Sequence, residues 1–154
     1  MLKFIAKLLG TKSEKDIKRI MPLVEATKRE YAKLATLSND ELRGQTHAVQ
    51  QQINAALKPI DDQLAELHKQ IQDQPQLELQ SKEAIFNKID QLEKDRNKAL
   101  EAVLMEVLPL AFAIVRETAR RFKENEYIEV TALDYDHRFA AQYQNITVEN
   151  GKAR

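Results

Sequence analysis

The chain has 154 residues and a net charge of zero, with 31% charged and 6% aromatic residues. It has no cysteine, which excludes a disulfide framework, a thiolate zinc site and a cysteine nucleophile. Only three glycines and four prolines leave little room for a phosphate-binding loop. The length predicts one domain, and the composition is typical of long, solvated helices in a mainly α protein.

Charge is unevenly distributed along the chain. Residues 1–35 carry nine basic and four acidic residues, a net charge of +5, whereas residues 36–80 have a net charge of −4. The basic end is therefore the candidate for contact with an acidic partner or an anionic membrane; the alternative is an ordinary solvated helix face. The longest apolar run, residues 107–115, is too short to span a bilayer, which needs about 20 residues.

Residues 1–10 are predicted to form a short, basic amphipathic helix that ends at Gly10. Lysines interrupt its apolar stretch and no small-residue cleavage site follows, so it does not read as a secretory signal. Because so short a helix is marginal in water, we expect it to form when its apolar stripe is covered, by a membrane or by the next helix of the chain. The residues predicted to contact a membrane or partner are Lys3, Phe4, Ile5, Lys7, Leu8, Leu9 and Lys12.

Residues 13–52 are predicted to be a helical region. Pro22 lies early in its first helix and predicts a kink or a late start, because proline removes one backbone donor. The clearest local signal is a capping box in which Ser38 is the N-cap and Glu41 closes the box, between two leucines that form a hydrophobic staple.

Residues 53–107 are predicted to form a long antiparallel helical hairpin. Apolar residues recur with heptad spacing over residues 53–71 and again over residues 85–104, and Pro75 interrupts the pattern between them. Ser81 is expected to cap the second arm. The expected pairing places Leu64 and Leu67 opposite Ile89 and Leu92, with Ile71 near Ile85 at the tip.

Residues 108–124 are predicted to form the next helix, with Pro109 either kinking the second arm or restarting the helix. Glu117 is at helical spacing from Arg120 and Arg121, which predicts a surface ion pair. The expected core-facing stripe is Ala111, Phe112, Val115, Ala119 and Phe122.

Residues 127–154 are predicted to begin a small β element. Residues 128–133 alternate with period two and predict a strand, and residues 134–144 are polar and are expected to be irregular. Asn150-Gly151 predicts a hairpin turn within residues 145–154. Because only three residues follow that turn, we interpret the hairpin as incomplete and the chain as the front part of a longer protein.

The sequence has no Walker-type loop, no GxGxxG and no nucleophile elbow. His47, His68 and His137 are far apart and have no second ligand at metal spacing, so no catalytic, cofactor or metal site is predicted. Asp134 and Asp136 are typical of turn chemistry rather than of a site. Tyr127, Tyr135 and Tyr143 are too far from basic residues in the sequence to predict a stacking platform for nucleic acid.

Three segments in this order resemble the N-terminus of SecA, the motor ATPase of bacterial preprotein translocation. They are the basic start (residues 1–9), Leu-Ser-Asn-Asp-Glu-Leu-Arg-Gly-Gln-Thr (residues 37–46) and Leu-Pro-Leu-Ala-Phe-Ala-Ile-Val-Arg-Glu-Thr-Ala-Arg-Arg (residues 108–121). The last is similar to the family's Leu-Pro-Glu-Ala-Phe-Ala-Val-Val-Arg-Glu-Ala. The helical hairpin resembles an insertion found in longer versions of the family.

The resemblance implies an N-terminal fragment that acts in membrane and channel docking and in scaffolding of the ATPase. It implies a cytoplasmic location, peripheral on the inner face of the plasma membrane. The implied partners are an anionic membrane surface and, through the full-length motor, a protein-conducting channel and preproteins; no nucleic acid is expected, and a homodimer is possible.

In the family, the adenine-binding residues and the Walker A loop follow the part that this chain resembles. ATP and magnesium are therefore expected only in the full-length protein, and this chain alone is not expected to be an enzyme. The alternative interpretation is a free-standing coiled-coil interaction module, whose functional surface would be the heptad seams of residues 53–71 and 85–104.

Overall fold

The computed structural model describes residues 12–154, which confirm a mainly α protein with a small β element. No helix in this range is both long and apolar enough to cross a membrane. The described residues form two compact units, one comprising residues 12–46 with Leu108–Arg154 and the other His47–Val107. The helices are α1 (Lys12–Leu34), α2 (Asn39–Asp73), α3 (Leu79–Glu124) and α4 (Asp134–Ala140), and the strands are β1 (Val130–Thr131), β2 (Val148–Glu149) and β3 (Lys152–Ala153).

The unit His47–Val107 is the predicted helical hairpin. Gln52 Nε2 donates to Glu106 Oε1 over 2.8 Å, and Arg96 Nε donates to Asp61 Oδ1 over 2.5 Å. A later residue on α2 therefore pairs with an earlier residue on α3, which confirms that the two helices are antiparallel. This register brings Leu67 level with the Ile89 region, as predicted. Leucine, isoleucine and valine side chains of the seam are buried, namely Leu57, Leu67, Ile89 and Val103.

The connection between the two arms is short. Residues 74–78 separate α2 from α3, and Lys82 Nζ donates to the carbonyl oxygen of Pro75 over 2.7 Å. α3 begins at Leu79, so Ser81 lies inside the first turn and the prediction that it caps this arm is wrong. The predicted break at Pro75 is confirmed.

Prolines lie inside three helices without ending them. α1 begins at Lys12 and runs through Pro22, so the late start considered for it is wrong. α3 runs through Pro109, so residues 108–124 continue the second arm rather than restarting as a separate helix. Each proline removes one backbone donor, but the flanking turns retain enough hydrogen bonds and buried side chains to continue the helix.

The buried face of α3 beyond Pro109 differs from the prediction. Phe112, Val115 and Phe122 are 59%, 66% and 65% exposed, and Ala119 is exposed as well. The buried positions are instead Ala113, Ile114, Glu117 and Arg121, on the other side of the helix. The prediction failed because it placed Glu117 and Arg121 at the surface, whereas these two charged side chains are buried as a pair.

The β element is a three-stranded antiparallel sheet with strand order β1-β3-β2. Asn150 and Gly151 have φ values of 50° and 73°, which confirms the predicted turn, since a type I′ turn requires positive φ at both positions. Ala153 is the partner of both Val130 and Val148, so the arm after the turn is the central strand.

The predicted strand over residues 128–133 is shorter in the structure, where only Val130–Thr131 pair. Residues 134–144 were expected to be irregular, and this is wrong for Asp134–Ala140, which form α4. The Asp136 carboxylate accepts a hydrogen bond from the Leu133 N–H over 2.9 Å and so stabilises the start of this helix.

Replacing Leu67 by alanine should cost about 2–5 kcal/mol of unfolding free energy, because this side chain is buried in the hairpin seam. The matched control is Leu79→Ala, since Leu79 is 82% exposed and its truncation should change stability by less than about 0.5 kcal/mol. Urea unfolding followed by circular dichroism measures both. Equal losses in the two variants would contradict the assigned seam.

Candidate functional site

The predicted membrane-binding site is at the basic end of the chain. Lys12 is the first residue of α1, and its side chain is exposed. The other residues predicted for this site lie outside the described residues; they are Lys3, Phe4, Ile5, Lys7, Leu8 and Leu9.

The first half of α1 carries an exposed apolar stripe, which we define as Ile17, Ile20, Met21 and Val24. These four side chains are between 37% and 55% exposed and follow the spacing of one helix face. Exposed basic residues occur in the same half of α1 but lie largely away from the stripe, namely Lys12, Lys15, Lys18 and Arg19. The first half of α1 therefore presents an apolar face and, around the rest of the helix, basic side chains, as helices that contact lipid or another helix do.

The other end of α1 is anchored by the guanidinium of Arg121, which is buried. Its Nη2 donates to the carbonyl oxygens of Leu37, over 2.6 Å, and of Leu34, over 3.3 Å. Its Nη1 donates to Asn39 Oδ1 over 2.8 Å. These acceptors are at the C-terminal end of α1, in the connection that follows and at the first residue of α2. One side chain thus adds a charged donor to carbonyl oxygens at and just after the end of α1 and joins three segments.

Glu117 is the counter-ion of this arginine and is fully buried, with 0% exposure. Its Oε1 accepts from Arg121 Nε over 2.8 Å and from Arg120 Nη2 over 2.7 Å. The Arg120 hydrogen bonds, opposed by burial and reinforced by Arg121, lower the pKa of Glu117 from 4.5 to about 2. The prediction of a surface ion pair is therefore wrong; the residues were paired correctly but the pair is buried.

A second ion pair connects α2 with α4. Arg43 Nη2 donates to both carboxylate oxygens of Asp136 over 2.7 Å, and the Arg43 Cζ atom lies 4.5 Å from the ring centroid of Tyr135. Burial opposes ionisation of Asp136 most strongly, but the hydrogen bonds from Arg43 and from the Leu133 N–H, together with the positive charge of Arg43, outweigh it and lower the pKa of Asp136. Asp136, predicted to act in a turn, instead lies in the first turn of α4, where it accepts from the Leu133 N–H, and it also has a long-range partner that no local pattern indicates.

A groove of about 840 Å³ lies beside these two ion pairs, within the unit of residues 12–46 and Leu108–Arg154. Its lining includes Arg43, Arg121 and Phe122, and both guanidinium groups already have carboxylate partners. Over residues 12–154 no buried side-chain nitrogen or oxygen lacks a partner, and no group of three histidine or acidic residues could hold a metal ion. The groove is therefore a partly apolar concave surface whose two guanidinium groups are already paired with carboxylates.

Comparison with known proteins gives the class of this chain. The model of the SecA DEAD-like domain family matches residues 5–134, which is more than half of the chain. The chain therefore belongs to the SecA family, and it corresponds to an N-terminal portion of it.

Relatives agree with this assignment. The chain is 47% identical over 148 residues to the protein translocase subunit SecA of Cytophaga hutchinsonii, with 96% of the chain and 13% of that relative covered. It is 43% identical over 153 residues to the SecA subunit of Amoebophilus asiaticus, covering 99% of the chain and 14% of the relative. The chain thus spans about one seventh of the length of these relatives. No solved structure matches the chain.

Replacing Glu117 by glutamine should cost about 3–5 kcal/mol, because it leaves the buried Arg121 guanidinium without its carboxylate. The matched control is Glu124→Gln. Glu124 pairs with Arg120 at an exposed position, where an ion pair contributes at most about 1 kcal/mol. Urea denaturation of both variants at pH 7 measures the difference. Similar small losses in both would contradict the structural role of the buried pair.

The contribution of Glu117 should also depend on pH. Its pKa is lower in the folded chain than its ordinary value of 4.5, so its stabilising effect is complete above that value and is lost as the pH falls towards 2. The difference in stability between wild type and Glu117→Gln should narrow by about 2 kcal/mol between pH 6 and pH 3. A difference that stays constant across this range would contradict the lowered pKa.

Proposed function

We propose that this chain is a docking and scaffolding segment of a protein-translocating ATPase motor. Membership of the SecA family supports translocation as the process. The observation that carries the docking role is the α1 stripe, which is exposed directly after the basic segment of residues 1–11. The scaffolding role is supported by Arg121, which holds the end of α1 and the start of α2 against α3.

The partner of the basic end is an anionic membrane surface. Residues 1–35 have a net charge of +5, and each lysine near such a surface contributes on the order of 1 kcal/mol. An apolar stripe of a few residues adds only weak insertion, so the attachment is reversible. The protein is therefore peripheral on the inner face of the plasma membrane, where the longer motor meets a protein-conducting channel and preproteins.

ATP and magnesium bind elsewhere in the longer motor, because this chain offers no phosphate-binding loop. The purified chain should show neither saturable ATP binding by calorimetry nor release of phosphate from ATP. Either activity would overturn this part of the proposal.

The alternative function, a free-standing coiled-coil module, requires heptad seams that are open to a partner. Leu57, Leu67, Ile89 and Val103 are instead buried within the hairpin of this same chain. The seam is already occupied, and this observation together with the family assignment favours the docking segment.

Deleting Met1–Leu9 should leave the melting temperature nearly unchanged and weaken co-sedimentation with vesicles that contain anionic phosphatidylglycerol. The remaining binding should fade as salt rises, because exposed charges are screened within a Debye length. A stability loss of several kcal/mol with unchanged vesicle binding would overturn the docking role.

Two double variants with the same change in net charge separate the effect of where the lysines lie from the effect of net charge. Replacing Lys3 and Lys7 by glutamine should reduce vesicle binding several-fold. Replacing Lys69 and Lys88, which are exposed on the hairpin, changes the net charge equally and should reduce it much less. Equal effects would mean that only net charge, and not the basic end, attracts the membrane.

A further inference from the structure

The turn Asn150-Gly151 carries chemistry that the proposed function does not use. An asparagine side-chain amide can react with the main-chain nitrogen of the next residue, and a following glycine has no Cβ that would hinder this approach. Of the seven asparagines in the chain, Asn150 is the one that precedes a glycine. The surroundings of the turn decide whether this reaction can occur.

Both reacting groups are open to water. Asn150 and Gly151 are exposed, and a Cβ placed on Gly151 would have no atom within 4 Å. The Gly151 carbonyl oxygen accepts from the Ala132 N–H over 2.9 Å, whereas the Gly151 N–H and the Asn150 side-chain amide have no hydrogen-bond partner within residues 12–154. The Gly151 nitrogen can therefore lose its proton to solvent, and no bonded neighbour shields the amide carbon of Asn150.

We propose that Asn150 is a self-modification site, at which deamidation changes the turn between β2 and β3. The Gly151 nitrogen attacks Asn150 Cγ, so that the N–Cγ bond forms and the Cγ–Nδ2 bond breaks. Ammonia leaves, carrying the proton that the Gly151 nitrogen has lost. Water then opens the resulting succinimide ring at one of its two carbonyl carbons. Opening at Cγ gives aspartate, and opening at the main-chain carbonyl carbon gives isoaspartate, in which the main chain runs through the former side chain.

The folded turn sets the rate of the first step. Asn150 and Gly151 have φ values of 50° and 73°, typical of a type I′ turn, and Asn150 must leave this conformation before the Gly151 nitrogen can reach Cγ. The two strands that the turn joins have only two residues each, so the hairpin can open locally at low cost. The reaction therefore requires opening of the hairpin and not unfolding of the whole unit.

Asn145 is the internal comparison, because it is also exposed and lies in the same unit. The residue after it, Ile146, is β-branched, and its N–H donates to the Tyr143 carbonyl oxygen over 3.3 Å. The nitrogen that would attack is thus both hindered and hydrogen-bonded. Asn125 is held differently, since its Nδ2 donates to the Arg121 carbonyl oxygen over 2.7 Å. Asn150 should therefore react first.

The two products differ in their effect on the sheet. Aspartate followed by glycine also suits a type I′ turn, so the aspartate product keeps the strand pairing. Isoaspartate adds one carbon atom to the main chain inside the turn that sets the register of Val148 with Ala153 and of Glu149 with Lys152. Because Ala153 is also the partner of Val130, the change reaches both neighbours of the central strand.

Peptide mapping by mass spectrometry, after incubation of the whole chain in water enriched in oxygen-18, measures the reaction. Water supplies the added oxygen, so the label marks the deamidation that occurs during the incubation. We expect Asn150 to be converted at least about tenfold faster than Asn145, since a glycine nitrogen is unhindered. Conversion should be faster at pH 8 than at pH 6, because the Gly151 nitrogen must lose its proton. The matched control is Asn150→Gly, which keeps a pair that suits the turn and should take up no label there.

Hydrogen–deuterium exchange of the separated products tests the effect on the sheet. The amides of Thr147 and Arg154 donate to each other's carbonyl oxygens over 3.0 and 2.9 Å, and both should exchange at least about tenfold faster in the isoaspartate form. The Leu42 amide in the same unit should be unchanged, and Asn150→Asp should keep the protection of all three. Equal conversion of Asn150 and Asn145 would overturn the modification site. Unchanged protection of Arg154 in the isoaspartate form would overturn its effect on the sheet.

Discussion

The buried guanidinium of Arg121 is the contact on which the unit of residues 12–46 and Leu108–Arg154 depends. It reaches the carbonyl oxygens at the end of α1, the amide of Asn39 at the start of α2, and Glu117 on its own helix. A buried arginine is costly unless its donors are all used, and here the available acceptors come from three separate segments. The side chain therefore specifies how those segments meet, and Glu117 makes its burial possible.

This arrangement gives the two ends of α1 different roles. The C-terminal end is fixed by backbone carbonyls that accept from a charged donor, whereas the first half exposes the α1 stripe. An anchored helix with an exposed apolar stripe is consistent with the proposed docking role, in which one segment attaches reversibly while the rest of the unit keeps its structure. In the SecA family this segment precedes a much longer chain, since the relatives are about seven times its length.

Local signals predicted much of the fold. The Ser38–Glu41 capping box is present, with the Ser38 N–H donating to Glu41 over 2.7 Å, and the heptad seam and the Asn150-Gly151 turn formed as expected. The orientation of α3 was missed because Glu117 and Arg121 become buried only through partners more than 80 residues away. The pair of Arg43 with Asp136 is separated by 93 residues, and no local spacing indicates such a pair.

Hydrogen–deuterium exchange of Arg121→Lys tests most directly whether this arginine joins the three segments. Lysine keeps the charge and loses the planar fork, so the amides of Leu37 and Leu42, which donate to Leu34 and Ser38, should exchange at least about tenfold faster. Arg120→Lys is the matched control, because Arg120 is partly exposed and donates to Glu117 and Glu124 on its own helix. Unchanged protection at both amides in Arg121→Lys would contradict the central role of Arg121.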